Sequence, residues 1–539
     1  MKIRPDVLRT YQSVHTWTGI TTSLLLFIAF FAGALTMFKP QIEQWASPSN
    51  LAATPVSEQR IDQLISQVTQ EQDKAREGFN IDFSEDGAAL SWFVQGGGRG
   101  LRLNDKLAFA NLDNDKQLVV QQAPSNELGN LIDQLHRTAG IIGKVGHEDL
   151  GVLILGVAAA LYFIALISGV IILLPTLVKQ LFALRQHKGA NRLWLDSHNL
   201  VGVVSLPFHL LIAWTAVVFA FHDPMYDGLS VVYGDKPLFE PRARGTITYN
   251  LDQLPSMAEY QKQLTALAPD HRIDKFEFSG LNTPNPSLAA YLSANDRMQR
   301  GGYFDIIYLH PFTQEVAYST VTSSEQDAYA PIVNSFFSLH FGNYAGNYGR
   351  WMYFTMGLLG AFLFYSGNLL WLEKRREKHN EQRKATKIMA ALTIGVCLGS
   401  MLGIAIAMLA SKWLYFFDVQ LNQGYMWSYY ATFALAIGYS FYRGAARSAI
   451  HLLYMLTLVC LAIPATSLIT FIIASAPNWS STEPGNLMVE VIAMVFAFVF
   501  WRAANKAKSR AYFGERNSIW AINLPQNKGL EPAIAGSTS

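Results

Sequence analysis

Long apolar runs alternate in this chain with two intervals in which hydrophobic positions recur every second residue. The runs lie at about 15–38, 150–174, 192–222, 353–372, 388–410, 425–442, 451–474 and 487–501. About twenty apolar residues at 1.5 Å per residue are enough to cross the hydrocarbon core of a bilayer as a helix. The two polar intervals, 39–130 and 223–335, each open with helical periodicity, at Glu58–Gln70 and Ser256–Leu267. Each then continues in short alternating strands, at 81–83, 90–95 and 107–112, and at 273–278, 288–293 and 303–309, with a last strand after His310-Pro311. The pattern predicts a polytopic α-helical membrane protein of about eight transmembrane helices with two α+β inserts. Its divisions are a first span at 1–38, an insert at 39–130, and two spans with their connection at 131–222. A second insert at 223–335, a fourth span at 336–373, a basic loop with four further spans at 374–510 and a tail at 511–539 complete it.

Composition agrees with that reading. Of 539 residues, 50% are hydrophobic and only 15% charged, against roughly 25% charged in soluble domains. A net charge of +2 says little about partners, and no nucleic-acid ligand is expected. The first apolar run is too long for a signal-peptide core, so it reads as an uncleaved span. The connections at 179–192, 374–387, 443–447 and 502–510 are rich in Lys and Arg, and with eight spans all lie on the side of the N-terminus. The positive-inside rule then places both termini in the cytoplasm of a bacterial inner membrane and both inserts in the periplasm. The cluster Gly96-Gly97-Gly98-Arg99-Gly100 sits between strands rather than ahead of a helix, so it is a loop and not a dinucleotide fingerprint. Cys397 and Cys460 lie inside apolar runs, and no C-x-x-C-H motif is present, so any haem is held non-covalently.

Candidate chemistry comes from histidines. The third run, Arg192 to His222, reads as one helix carrying His198, His209 and His222. Eleven residues separate the first two, which puts them on nearly one face, roughly 16 Å apart along the axis. Ionisable groups at membrane depth usually face a bundle interior. The two halves of the chain also repeat each other. Arg9…His15-x3-Gly19 answers Arg192…His198-x3-Gly202, and Leu135-His136 answers Leu339-His340. Ile167-Ser168-Gly169 answers Tyr365-Ser366-Gly367. A parallel repeat of this kind forms a four-helix core in which equivalent residues face each other across an axis along the membrane normal. His15 is then expected opposite His198 near the cytoplasmic surface, and His136 opposite His340 near the outer one. Opposed imidazoles in a helical bundle are an arrangement that ligates b-type haem from both faces, so two haems are expected. The glycines four residues after His15 and His198 give a flat macrocycle room. Zinc fits less well, because a structural site wants four ligands. The bland alternative is that these histidines are interfacial hydrogen bonders.

His209 aligns with Leu26 and breaks the symmetry. It reads as an alternative ligand, a relay group between the layers or a satisfied core residue. His222 reads as interfacial. Arg9 and Arg192 on the inner side, with Arg137 and Arg350 on the outer, are candidates for haem propionates or ordinary headgroup anchors.

Over roughly Met1 to Glu373 these motifs resemble the PepSY-associated transmembrane family, which includes inner-membrane ferrisiderophore reductases and iron-regulated membrane proteins. The inserts resemble PepSY modules, with turns such as LDNDKQLVV (Leu112–Val120) and LHPFTQEVAY (Leu309–Tyr318). The resemblance implies electron transfer through haem b to a periplasmic acceptor, ferric iron in a siderophore foremost. No nucleotide-binding domain fits the short inner loops, so electrons are expected from a separate cytoplasmic reductase, reduced flavin or membrane quinol. Two other readings stay open at this point. One is an envelope-binding or regulatory PepSY protein anchored by its helices. The other is an iron-related transporter, against which stands the lack of carboxylates in the core spans.

Overall fold

The computed structural model describes residues 4–48, 54–84, 87–97, 100–112, 117–177, 185, 190–234, 245–321, 330–377, 381–417, 420–472, 484–515 and 517–522. The chain is a multi-pass membrane protein. Among the described residues, seven helices are long and apolar enough to cross a membrane: Pro5–Thr36, Leu150–Thr176, Leu206–Leu229, Asn343–Lys374, Lys384–Trp413, Ala445–Thr470 and Pro484–Phe513. The helix expected near 425–442 is present as Leu421–Arg443, but its asparagine, glutamine, serines and tyrosines keep it below that apolarity.

The helices used below are α1 (Pro5–Thr36), α2 (Leu128–Thr138), α3 (Leu150–Leu173), α4 (Ala190–Val204), α5 (Leu206–Tyr233) and α6 (Ala330–Phe341). They continue with α7 (Gly346–Lys374), α8 (Lys384–Trp413), α9 (Leu421–Arg443), α10 (Ala445–Ile472) and α11 (Pro484–Phe513). The third apolar run is not one helix. It breaks at Ser205 into α4 and α5, so His198 and His209 stand on separate helices. Pro207 has no N–H to give the carbonyl of Val203, and its ring crowds the preceding turn.

α1 packs between α3 and α7, α3 packs on α5, and α7 packs on α4. Phe27, Phe30, Tyr162 and Phe364 fill the space they enclose. α2 and α6 are short helices that reach the end of this group opposite the N-terminus of α1 and stop at left-handed residues. Ala139 (φ 50°) and Gly140 (φ 78°) end the first, and Gly342 (φ 68°) ends the second. A left-handed C-terminal residue stops a helix abruptly, which lets the chain turn back into the next span.

The two inserts are not separate in space. Strands Gly78–Ser84 and Arg272–Ser279 pair antiparallel, with Ile81 opposite Phe276. Their pairing joins four strands from each insert into one eight-stranded sheet. Helices Glu58–Glu71 and Met257–Leu267 share its core, where Ile61, Leu64, Tyr260 and Phe276 are fully buried. Ser256 caps the second helix in a reciprocal capping box with Glu259. The turn of LDNDKQLVV at 113–116 lies outside the described residues.

Past α7, α8 and α9 meet along Gly395, Gly399 and Gly403. A Cβ at each would come within 2.8 Å of α9 atoms, at Ile437, Ala436 and Tyr429 respectively. Small residues four apart allow this backbone approach inside a membrane. α9 also reaches the first insert: Asn422 Nδ2 donates to the Ser125 carbonyl at 2.8 Å, and Tyr425 Oη accepts the Glu127 N–H at 2.7 Å.

Candidate functional site

Four histidines from four helices meet as two pairs. His15 of α1 and His198 of α4 have ring centroids 6.3 Å apart, inclined at 80°. His136 of α2 and His340 of α6 have centroids 6.2 Å apart, inclined at 40°. The pairs meet α1 at different heights: His15 lies in its third turn from the N-terminus, whereas His136 touches it at Ala29 and Gly33.

Every one of these rings is held through Nδ1. His15 Nδ1 lies 2.8 Å from the Ala165 carbonyl of α3, and His136 Nδ1 lies 2.8 Å from the Ala29 carbonyl of α1. A carbonyl only accepts, so both Nδ1 atoms carry the hydrogen. In the other two, a hydroxyl stands between ring and helix. His198 Nδ1 lies 3.0 Å from Ser366 Oγ, and His340 Nδ1 lies 2.8 Å from Thr215 Oγ1. Ser366 gives its single hydrogen to the Leu363 carbonyl at 3.0 Å, and Thr215 gives its own to the Leu211 carbonyl at 2.8 Å. Each hydroxyl must therefore accept from the imidazole. All four rings are Nδ1–H tautomers, and the Nε2 lone pair is the one left for a ligand bond.

A local sequence rule builds these contacts. In a helix, the side chain at i+4 covers the carbonyl at i. Ala29 is followed by Gly33 and Ala165 by Gly169, so those two carbonyls are open to an approaching imidazole. A Cβ on Gly33 would lie 2.6 Å from His136 Nδ1, and one on Gly169 would lie 3.0 Å from His15 Cε1. Leu363, Ser366 and Gly367 repeat the spacing with a hydroxyl at i+3, as do Ile212, Thr215 and Ala216. The paired Ser-Gly motifs of the sequence are thus the seats of the inner imidazoles. Gly33 and Thr215 carry the same signal, a small residue or hydroxyl one turn beyond the carbonyl, and sequence reasoning passed over both.

The spacing within each pair tests what the lone pairs can share. A metal about 2 Å from each Nε2, with an imidazole radius of about 1.1 Å, sets trans ring centroids about 6.2 Å apart. Both observed spacings meet that value. A Cβ at Gly19 would meet nothing within 4 Å, and one at Gly202 would meet only the tip of Leu363 at 3.6 Å, so space is open one turn beyond His15 and His198. Among the described residues, no group of three or more His, Cys, Asp or Glu converges as metal ligands. The donor set thus fits a metal whose other ligands come from a macrocycle.

Residues 12–374 match the PepSY-associated TM region. The chain belongs to this family. No curated protein matches it. In this PepSY-associated chain the matched segment ends where α7 ends, so α8 to α11 lie outside it.

The remaining candidates are placed as follows. His209 is fully buried against Phe30, Tyr162 and Phe208, and neither ring nitrogen has a hydrogen-bond partner. Among the described residues its ring neighbours are Phe30, Tyr162 and Phe208, and no second histidine faces it. His222 sits in the C-terminal half of α5, bonded to the Phe219 carbonyl and facing Asp223 at 3.1 Å. Arg192 is engaged with the buried Asp196 at 3.1 Å, beside Arg185. Arg137 pairs with Asp133 at 3.3 Å. Arg350 gives hydrogen bonds to the Met37 carbonyl and to Gln41, and lies over the Phe38 and Tyr303 rings. Arg9 has no carboxylate partner among the described residues and lines a cleft of about 350 Å³ with Thr16, Lys374 and Arg375. In the short helix Lys39–Ala46 that follows α1, burial pushes the Glu43 carboxyl up to about 7. Lys39 opposes that rise, and the nearby charges of Glu127 and Asp133 add to it.

Proposed function

We propose that this chain holds two b-type haems and passes electrons from the cytoplasmic side of the inner membrane to a periplasmic acceptor, ferric iron in a siderophore foremost. One haem would sit between His15 and His198 and the other between His136 and His340. The observation that carries this reading is that two pairs of imidazoles, each ring anchored through Nδ1 with its Nε2 lone pair left for a metal, lie with centroids 6.3 and 6.2 Å apart. The group itself supplies reversible one-electron exchange at iron. The meeting of equivalent histidines also supports a core built by a parallel repeat.

The chain's own residues do the rest. The Nδ1 partners hold each ring against rotation and raise the basicity of Nε2. Phe27, Phe30, Tyr162 and Phe364 keep water out of the region between the layers. Arg9, with Lys374 and Arg375, would offer positive charge to the propionates of one haem, whereas Arg137 and Arg350 would have to leave Asp133 and Gln41 to serve the other. The donor is a cytoplasmic reductase, reduced flavin or quinol. Because His136 and His340 lie on helices that enter from the sheet side, the acceptor would dock where the inserts meet the membrane. Iron(III) held by hard oxygen donors binds far more weakly once reduced, so a single electron is enough to free it.

The optical spectrum of the purified protein tests the reading. Split α/β bands on reduction are expected, and a colourless preparation sinks it. His15→Ala or His198→Ala is expected to remove about half of the haem, with His136→Ala or His340→Ala removing the other half. Trapping of ferrous iron during turnover with several ferric chelates then identifies the acceptor class.

A further inference from the structure

The basic cleft near the start of α1 is built by two helices. Arg9, Gln12, Ser13, Thr16 and Trp17 stand at i, i+3, i+4, i+7 and i+8 of α1, so one continuous stripe of that helix forms one wall. Lys374 and Arg375, at the end of α7, form the other, and the space between is about 350 Å³. No carboxylate lines it. Among the described residues, none pairs with Arg9, Lys374 or Arg375 either. The neighbouring Glu373 is already taken, since it accepts from Arg510 and lies 3.9 Å from Arg376. Arg375 instead lies over the Trp371 ring, 4.1 Å from its centroid, a contact that holds the guanidinium and leaves its charge in place.

Helix stability accounts for only part of this charge. Cations at Lys374 and Arg375 complement the C-terminal dipole of α7, but Arg9 stands near the N-terminus of α1, where a cation has no such benefit. Three like charges around one space repel each other until an anion enters it. Trp17 indicates where that anion comes from. It is 61% exposed, on a helix apolar enough to cross a membrane, and tryptophan collects at the level of lipid headgroups. Because Trp17 also lines the cleft, the cleft opens toward lipid.

The remaining polar groups select among headgroups. Thr16 gives its hydrogen to the Gln12 carbonyl at 2.7 Å, which leaves its oxygen as an acceptor, and the Gln12 side-chain amide both donates and accepts. A headgroup ammonium would find three cations and no carboxylate. Headgroup hydroxyls would find acceptors. We propose that this cleft seats an anionic phospholipid of the phosphatidylglycerol type, with its phosphate among Arg9, Lys374 and Arg375 and its hydroxyls on Thr16 and Gln12. Basic pockets between membrane helices recognise anionic headgroups in this way. The lipid clamps the start of α1 to the end of α7. Lipid binding here stands apart from the haem reading, although a propionate is a rival for the same cations.

The test uses the full chain in neutral detergent, with native mass spectrometry to count bound lipid and the unfolding temperature read on the same samples. Phosphatidylglycerol is expected to bind saturably, at least tenfold more tightly than phosphatidylethanolamine or phosphatidylcholine with the same acyl chains, and to raise the unfolding temperature. Arg9→Gln combined with Lys374→Gln should abolish that preference. Arg443→Gln combined with Arg447→Gln, which removes equal charge between α9 and α10, should leave it intact. Ser13→Glu places a carboxylate in the wall, keeps every cation, and should shift the preference toward phosphatidylethanolamine even where the double variant fails to fold. Equal binding of the three lipids, an unchanged preference in both cleft variants, or the same loss in the Arg443 and Arg447 control overturns the proposal. So does equal stabilisation by inorganic phosphate or flavin mononucleotide, which would make this a site for soluble phosphates. Haem-loaded protein without lipid preference sinks the lipid site alone. Colourless protein that keeps the preference upholds the site and sinks only the haem reading.

Discussion

Ser366 accepts the Nδ1–H of His198 at 3.0 Å, because its own hydroxyl hydrogen is already committed to the Leu363 carbonyl. Thr215 does the same for His340 at 2.8 Å. Partners of this kind typically carry a 10–100-fold effect on metal affinity. Ser366→Ala is therefore expected to weaken inner haem binding by about that factor and to shift its midpoint potential, with Ser366→Thr restoring both. Thr215→Val should act on the outer haem alone, and Thr215→Ser should rescue it. Haem titration of the stripped protein, read with redox potentiometry, distinguishes these positioning roles from a general loss of fold.

The glycine seats predict a graded series. A Cβ would lie 2.6 Å from the His136 ring at Gly33, 3.0 Å from His15 at Gly169 and 3.4 Å from His198 at Gly367. The first is shorter than any ordinary carbon contact and the last is normal van der Waals contact. Gly33→Ala should lose most of the outer haem, Gly169→Ala part of the inner, and Gly367→Ala little. Haem content per chain after purification gives the order directly, and an inverted order would argue against these seats.

His209 tests whether a buried imidazole in this core is a ligand. Both of its nitrogens lack partners, and such groups cost about 1–3 kcal/mol each to bury. His209→Leu is expected to leave haem content and both absorption bands unchanged while raising the unfolding temperature. Loss of one haem would instead identify His209 as a ligand.

Glu43 gives the outer rim a pH dependence. Burial raises its carboxyl to about 7 in the folded chain, above the value of about 4.3 expected when unfolded. The folded state therefore holds the extra proton between those values, and its stability falls as pH rises across that window, then levels off above it. The unfolding temperature in detergent should drop by a few degrees between pH 5 and pH 8. Glu43→Gln should flatten that slope and be the more stable protein at pH 8.

The resemblance to the PepSY-associated family was legible in the spaced histidines and Ser-Gly pairs, and the matched region agrees with it. Strand and helix positions in the inserts were legible too, because alternation and capping are written in neighbouring residues. Helix Glu58–Glu71 begins where its periodicity begins. Less visible was the merging of the inserts. The Ile81–Phe276 pairing joins residues almost two hundred positions apart, and nothing in either strand names its partner. The run from Arg192 to His222 read as one helix because its hydrophobicity is continuous. Pro207 was the contrary signal, and its missing N–H prevailed.

The sequence by itself determined which segments are apolar enough for lipid, which imidazoles recur at equal offsets in the two halves, and which residues leave a helix carbonyl uncovered. These are local properties, set by side-chain chemistry and helical period. Tertiary structure decided the ring spacings of 6.3 and 6.2 Å and the tautomer of each imidazole. It also decided the separation of His209 from either pair and the burial of Lys412 against Ser467 and Trp45. Each of those depends on helices distant in sequence packing to within a fraction of an ångström, and side-chain volumes across an interface settle that, not the period along a chain.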